Sequence, residues 1–330
     1  MRIATPIIAI TIISTTSAFS PLAPNAINRS TKPSSSLFKD DFSTATTEFS
    51  RPLLRRTRDV SSRLFMGWGP DPIWTDAVVA ENTPACPSLS CVSLTVTVPA
   101  DIVSQYKIAG QYVQMKIDGG TEEESKPIFL AIASPPHDPS NEESSPVELE
   151  FLIKKTDTNI LITSAVVGAT VSVSQVLGEG FPVAENLDGL KYDFPTQNVL
   201  LFAAGSGIAP IRAAIESGTL GVGEQGSGGK GRTARLYYGV RTPAEMPYAD
   251  RFIKWERLGY EVVPVISRPE DCKNKWIGRT GYVQNALEED GVAIPRNSGA
   301  LLCGVKGMAQ CVTEDLTKAG MFEGRVLTNF

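Results

Sequence analysis

The run Val199-Leu-Leu-Phe-Ala-Ala204 is apolar throughout and leads directly into Gly205-Ser-Gly-Ile-Ala-Pro210. Six apolar residues without a polar break fit a strand covered on both faces, the habit of parallel sheets. Glycines directly after such a strand let the backbone approach a ligand. The free N–H groups and dipole of the helix that follows favour an anion, so a pyrophosphate is the natural occupant beside Gly205, Ser206, Gly207 and Ile208. Pro210 suits the first helical turn, where no N–H is needed. Taken alone, the stretch also fits an ordinary strand–helix turn.

On either side of this point the hydrophobic rhythm differs. Upstream, Leu89–Val98 and Gly110–Ile117 alternate apolar and polar residues, and 127–133, 147–153 and 170–176 are further short strands. Turn clusters such as Asp118-Gly-Gly120 and Pro135-Pro136 separate them. That spacing predicts a small antiparallel β-barrel or sandwich. Downstream, strands at 235–239, 261–266, 300–303 and 325–327 alternate with helices at 208–217, 245–257, 282–289 and 308–319. This alternation predicts a doubly wound α/β domain with a parallel sheet. The glycine-rich stretch 221–231 does not follow a strand directly and reads as linker. At 330 residues the chain is long enough for two domains, expected at 75–190 and 195–330.

Charge is unevenly distributed. Residues 1–65 hold nine Lys/Arg against four acids, a net of +5, and the remaining 265 residues carry a net of −10. An acidic body offers no basic field for nucleic acid. The single histidine, His137, removes His-cluster metal chemistry, and the five cysteines contain no CxxC pair, so neither zinc nor an iron–sulfur centre is expected.

The basic front reads as an address. Arg2 precedes the apolar run Ile3–Ile13, too short to cross a bilayer comfortably, and Ser14–Ala18 give a small-residue exit. Residues 1–18 are therefore expected to be a signal peptide. Residues 19–65, with fourteen Ser/Thr and only four acids, have the composition of a transit peptide. Phe19 after the cleavage site resembles the bipartite plastid presequence of algae whose plastids came from a red-algal endosymbiont, so a plastid location is expected. The other reading is secretion. No later apolar run approaches spanning length, so the mature chain should lack a transmembrane segment.

Three further sites carry candidate chemistry. Cys303-Gly304-Val-Lys-Gly-Met308 follows a late strand at the sheet edge where ligands bind, although Cys303 also fits a small buried apolar residue. Ser267-Arg268, with Tyr282 beyond, offers a hydroxyl, a guanidinium and a phenol suited to an adenosine 2′-phosphate. Arg268 also reads as a solvated loop residue. Phe330 places an aromatic at the last position, where a frayed end is the plainer reading.

In this order, residues 75–330 resemble the ferredoxin–NADP⁺ reductase superfamily, a flavin-binding barrel followed by a nicotinamide-nucleotide domain. GSGIAP is similar to that family's pyrophosphate turn, and CGxxxM to its Cys-Gly motif beside the nicotinamide. Gly178-Glu-Gly180-Phe181 resembles the turn closing the barrel in its dihydroorotate dehydrogenase branch, whose C-terminal cysteine cluster is absent here. Phe129-Leu-Ala-Ile-Ala-Ser-Pro135, Leu236-Tyr-Tyr-Gly239 and Val326-Leu-Thr-Asn-Phe330 resemble the plant plastid "fruit protein" oxidoreductases.

The resemblance implies FAD and NADP(H) or NAD(H) as cofactors. It implies hydride transfer from NAD(P)H to FAD, with electrons passed to an acceptor, a small redox protein or a small molecule. Cys303 and Phe330 would sit at the reacting rings. Ala131, Ala133, Ser134, Gly178 and Gly180 would lie at the flavin, and Gly205, Ser206, Gly207, Ile208, Pro210, Ser267, Arg268, Tyr282, Gly304 and Met308 at the nucleotide. One departure stands out. The family's Arg-x-Tyr-Ser/Thr flavin motif falls on Ile128-Phe-Leu-Ala131, without its guanidinium, phenol or hydroxyl. Ser134 is a substitute donor, and Lys154 and Lys155 are sources of phosphate charge. The rival reading is a binding or assembly protein that keeps the fold without flavin. Arg268 favours NADPH over NADH, although Thr280 replaces a lysine of the NADPH pattern and Trp276-Ile-Gly278 fits NADH-preferring relatives.

Overall fold

A computed structural model describes residues 71–136, 147–183, 197–223 and 232–329. The chain divides after Met66, and Gly67–Phe330 forms one compact unit. The expected presequence, His137, the 224–231 part of the glycine-rich stretch and Phe330 lie outside the described residues.

The first six strands are β1 (Thr75–Pro84), β2 (Cys91–Thr97), β3 (Tyr112–Lys116), β4 (Ile128–Ala131), β5 (Glu148–Lys154) and β6 (Thr170–Val173). They form one antiparallel sheet in the order β4-β3-β6-β1-β2-β5. A bridge between Ile132 and Phe151, with the Ala133 N–H donating to the Glu150 carbonyl (2.8 Å), joins the two edges and closes the barrel. Alternation fills it: Val92, Leu94 and Val96 of β2 point inward with Val113, Met115, Phe151 and Val173. Helix α1 (Ala100–Gln105) adds Ile102 and Val103 to this core, and the short α2 (Ile160–Thr163) adds Ile162.

The second sheet is parallel: β7 (Asn198–Ala204), β8 (Thr233–Val240), β9 (Tyr260–Ile266), β10 (Arg279–Thr280), β11 (Ser298–Cys303) and β12 (Val326–Thr328), in the order β10-β9-β8-β7-β11-β12. Its helices are α3 (Ile208–Glu216), α4 (Phe252–Arg257), α5 (Val283–Asp290) and α6 (Lys306–Lys318). The unbroken apolar run now has its cause. Leu201 and Ala203 of β7 pack on one face with Ile208, Ile211 and Trp255, while Phe202 packs on the other with Tyr237, Val312 and Leu316. Strand order reverses at β7, between β8 and β11, which opens a crevice at the carboxyl edge.

Two expected elements start later than their patterns predict. The strand expected from Leu89 begins at Cys91 because Leu89 takes a left-handed turn conformation (φ 59°). The helix expected over 245–257 is α-helical only from Phe252, since Tyr248 is also left-handed (φ 60°) after Pro247.

Candidate functional site

The carboxyl edge of the parallel sheet carries a cleft of about 510 Å³. Gly205 and Ser206 line it at the end of β7, and so do Ser267 and Arg268 after β9, Tyr282 before α5, and Met308 in α6. Residues far apart in sequence thus meet where the reversal of strand order opens the sheet. Gly205 is left-handed (φ 55°) with open space where a Cβ would stand, so it faces the cleft bare. Gly207 also serves packing. A Cβ there would overlap the Cys303 carbonyl and the Gly304 nitrogen of the neighbouring strand, so this glycine lets α3 close on β11. Ile208 is fully buried in the core behind it.

The Arg268 side chain is exposed and tied only loosely to Asp271, at 3.9 Å. Its N–H donates to the Arg241 carbonyl (2.9 Å), and the Ser267 N–H to the Val240 carbonyl (3.0 Å), which fixes both residues beside the end of β8. Arg241, which no sequence motif singles out, lines the same cleft, is exposed, and makes no ion pair among the described residues. An arginine one residue past a strand has no distinguishing pattern. Only the sheet shows that the ends of β8 and β9 adjoin. Gln284, also in the wall, holds a buried side-chain oxygen without a partner among the described residues, an acceptor still to be satisfied.

A second cleft, of about 410 Å³, lies at the seam between barrel and parallel sheet. Ile128–Ala131 of β4 and Leu152–Lys154 of β5 form one wall; Gly207, Pro210, Cys303 and Gly304 form part of the other. The two clefts share Lys154, Ala204, Ser206 and Val305, so they adjoin. The Cys303 thiol is pushed up to about 12 by burial, against a hydrogen bond to Asn329 that lowers it, and is therefore a neutral thiol at neutral pH. The Asn329 side-chain oxygen is buried and unpartnered among the described residues.

The flavin-side candidates divide. Ala131 lines the seam cleft. Ala133 is fully buried, and the Ser134 hydroxyl accepts the Glu150 N–H (3.2 Å) while its carbonyl accepts the Tyr106 hydroxyl (2.7 Å), so both serve the closure of the barrel. Gly178 and Gly180 are left-handed and packed against the Tyr112 ring and the Ala109 carbonyl respectively. They too close the barrel and do not line either cleft. Where the familiar tyrosine is absent, Phe129 stands 66 % exposed at the seam, in edge contact with Tyr112 at 5.9 Å between ring centroids. Being one position from Leu130 on the same strand, Phe129 faces the opposite way from the motif's tyrosine position.

A buried ionic network crosses the seam. Arg212 of α3, 4 % exposed, pairs with Glu150 of β5 and with Glu216 (3.2 Å). Glu150 also accepts the Ser93 and Tyr248 hydroxyls (2.8 and 3.2 Å), and Glu216 accepts the Trp255 indole N–H (3.1 Å) and Arg251 (3.1 Å). The Arg212 guanidinium lies over the Tyr248 ring at 4.6 Å. Burial pushes the carboxyls of Glu150 and Glu216 up, but Arg212 and the hydrogen-bond donors more than offset it and hold both below the usual range.

Comparison with known proteins fits this geometry. The profile of the oxidoreductase NAD-binding domain family matches residues 201–314. Fruit protein pKIWI502 of Actinidia deliciosa is 32 % identical over 260 residues, which cover 77 % of this chain and 76 % of that one. Among solved structures, a ferredoxin NADP⁺ reductase from Neisseria gonorrhoeae with bound FAD and NADP has a TM-score of 0.57 at 16 % identity, over 77 % of this chain and 97 % of that one. The cytochrome b5 reductase domain of Ulva prolifera nitrate reductase has a TM-score of 0.56 at 14 % identity, over 78 % and 97 %. At these identities the solved structures share the fold. Among the described residues no helix is long and apolar enough to cross a membrane, and no cluster of ligating side chains could hold a metal.

Proposed function

The chain belongs to the ferredoxin reductase-like FAD/NAD-binding oxidoreductases, and we propose that it takes hydride from NAD(P)H onto FAD and passes electrons to an acceptor. The observation that carries this reading is that the two clefts adjoin and share wall residues. A nucleotide held at the sheet edge and a ring held at the seam would meet beside Ser206 and Cys303.

The residues present fit both groups. Apolar Ile128, Leu130 and Leu152 with the exposed Phe129 suit a flat ring, and Lys154 supplies a cation where the clefts join. The orphan oxygen of Gln284 and the bare backbone at Gly205 suit a nucleotide. FAD, when bound, supplies the capacity to accept two electrons together and release them singly. The protein's part is positional. Gly205 and Ser206 would receive a pyrophosphate on backbone N–H groups, and Arg268 and Arg241 would flank the adenosine end. The neutral Cys303 thiol would present a compact, uncharged wall to the ring-to-ring path.

A visible spectrum of the purified protein tests the reading: a flavin band that bleaches anaerobically on NADPH addition is expected. A colourless protein that takes up no FAD would favour the rival, a flavin-free binding protein. The absence of arginine, tyrosine and hydroxyl at Ile128, Leu130 and Ala131 is the observation on that side.

A further inference from the structure

The tip of the β1–β2 hairpin is built unlike the rest of the barrel. Antiparallel pairing ends with the Ala85 N–H donating to the Cys91 carbonyl (3.0 Å), which leaves Cys86 one position past the residue that faces Cys91, diagonal to it at the hairpin mouth. Ser90 bridges them: its hydroxyl lies 3.5 Å from the Cys86 sulfur and 4.0 Å from that of Cys91. Ser88 holds Cys86 from the other side at 3.3 Å. Between the cysteines Leu89 is left-handed and exposed, so this short loop already stores strain.

The tip is also inserted into the other half of the molecule. The Ser88 N–H donates to the Ala244 carbonyl (2.9 Å), and both cysteines, each 6 % exposed, pack in one core cluster with Tyr238 and Tyr248. Ser90 and Cys91 form part of the nucleotide cleft wall, which brings that cleft to the edge of the pair, with Cys86 behind Ser90.

We propose that Cys86 and Cys91 are a redox-active dithiol that closes reversibly to an intraloop disulfide. With a small disulfide as oxidant the balance is complete. The Cys86 thiolate attacks one sulfur of the small disulfide; that bond breaks, and the departing thiolate takes a proton. The Cys91 thiolate then attacks the Cys86 sulfur and expels the second small thiol. Two cysteines lose two electrons and two protons, and one disulfide becomes two thiols. The two sulfurs are suited to these unequal roles. Burial raises the Cys86 thiol, but hydrogen bonds from Ser88, Ser90 and the Cys91 and Ser90 backbone hold it below its ordinary value. Burial and the neighbouring Cys86 push Cys91 up to about 11. One Ser90 hydroxyl in reach of both sulfurs, and the direct influence of Cys86 on the Cys91 thiol, place the two side chains as neighbours.

The test uses the full reduced chain, oxidised glutathione at graded ratios, alkylation of remaining thiols and peptide mass mapping. Exposed Cys311 is the internal gauge of oxidant strength. A Cys86–Cys91 link that resists alkylation and is recovered by dithiothreitol is expected at ratios that modify Cys311. Cys91→Ser should trap glutathione on Cys86. If both cysteines stay fully alkylatable when Cys311 is converted, or if the unsubstituted chain stops at a glutathione adduct on either one, the proposal is overturned. The effect of closure on the cleft rests on the function proposed above; the mass measurement does not.

Discussion

At the scale of single residues, the nucleotide cleft separates two kinds of glycine that look alike in sequence. Gly205 is bare toward the cleft, whereas Gly207 has no room for a methyl group against β11. Gly207→Ala should therefore lower thermal stability by about 1–3 kcal/mol through overpacking. Gly205→Ala should cost only about 1 kcal/mol of backbone strain and show its main effect in nucleotide titrations. Paired melting and binding curves check this; a Gly207→Ala protein as stable as its parent would contradict the packing argument. A second prediction concerns the cofactor. A guanidinium has little to do at a bare ribose, and charge-assisted contacts contribute roughly 1.5–3 kcal/mol, about one to two decades in affinity. NADPH should be preferred over NADH by that factor. Arg268→Ala should remove most of the preference and leave NADH nearly unaffected, with Arg241→Ala removing part of the remainder. Titrations with both nucleotides decide it, and equal affinities in the unmodified protein would point to NADH. Gly205, Ser267, Arg268, Tyr282 and Met308 were legible because each follows or opens an element at the sheet edge. Arg241 was not, because its significance comes only from the adjacency of β8 and β9.

Among elements, the connection between α3 and β5 decides how the halves of the seam hold together. Arg212 neutralises Glu150 and Glu216 at once, and all three are withdrawn from water. Removing one partner of such a group leaves uncompensated buried charge, so Arg212→Met should destabilise by about 3–5 kcal/mol. The sign of the pH response follows from the depressed carboxyls. Their contribution is fully present above the ordinary carboxylate value of 4.5 and is lost as pH falls through their lower folded values. The parent should therefore lose stability on acidification below about that point. In Arg212→Met, Glu150 loses its cation and burial pushes its carboxyl up, while Glu216 keeps Arg251 and Lys254, so the loss of stability on acidification should be smaller than in the parent. Melting curves across pH 3–7 distinguish the two, and parallel profiles would remove Arg212 from the account. No sequence pattern announces this network: Arg212 sits among apolar helix residues, and its partner Glu150 lies 62 positions away. Strand alternation and the βα rhythm, being local, were readable. The late start of α4 was not, because the left-handed Tyr248 is held by the same network, its ring beneath Arg212 and its hydroxyl on Glu150.

For the whole molecule, the change of composition and the division of the chain coincide. The basic, Ser/Thr-rich composition ends near residue 65, and the compact unit begins at Gly67. Both sheets and their clefts belong to that unit. We therefore propose that the front of the chain is a two-step plastid address, removed after import, and that the protein isolated from its source begins between about residues 60 and 70. Removing the first 65 residues takes away a net +5 and leaves a body of net −10, so the working protein is markedly more acidic than the whole chain at −5. A small acidic redox partner would be repelled by such a body except at a local basic patch, and its rate of reduction should then respond strongly to salt. A chain starting at Gly67 should melt within about 0.5 kcal/mol of the full chain, since it keeps every described residue of the three core clusters. Terminal sequencing of the native protein gives the direct answer. Retention of residues 19–60 would dismiss the plastid address, and a start at Phe19 with that stretch intact would point to secretion.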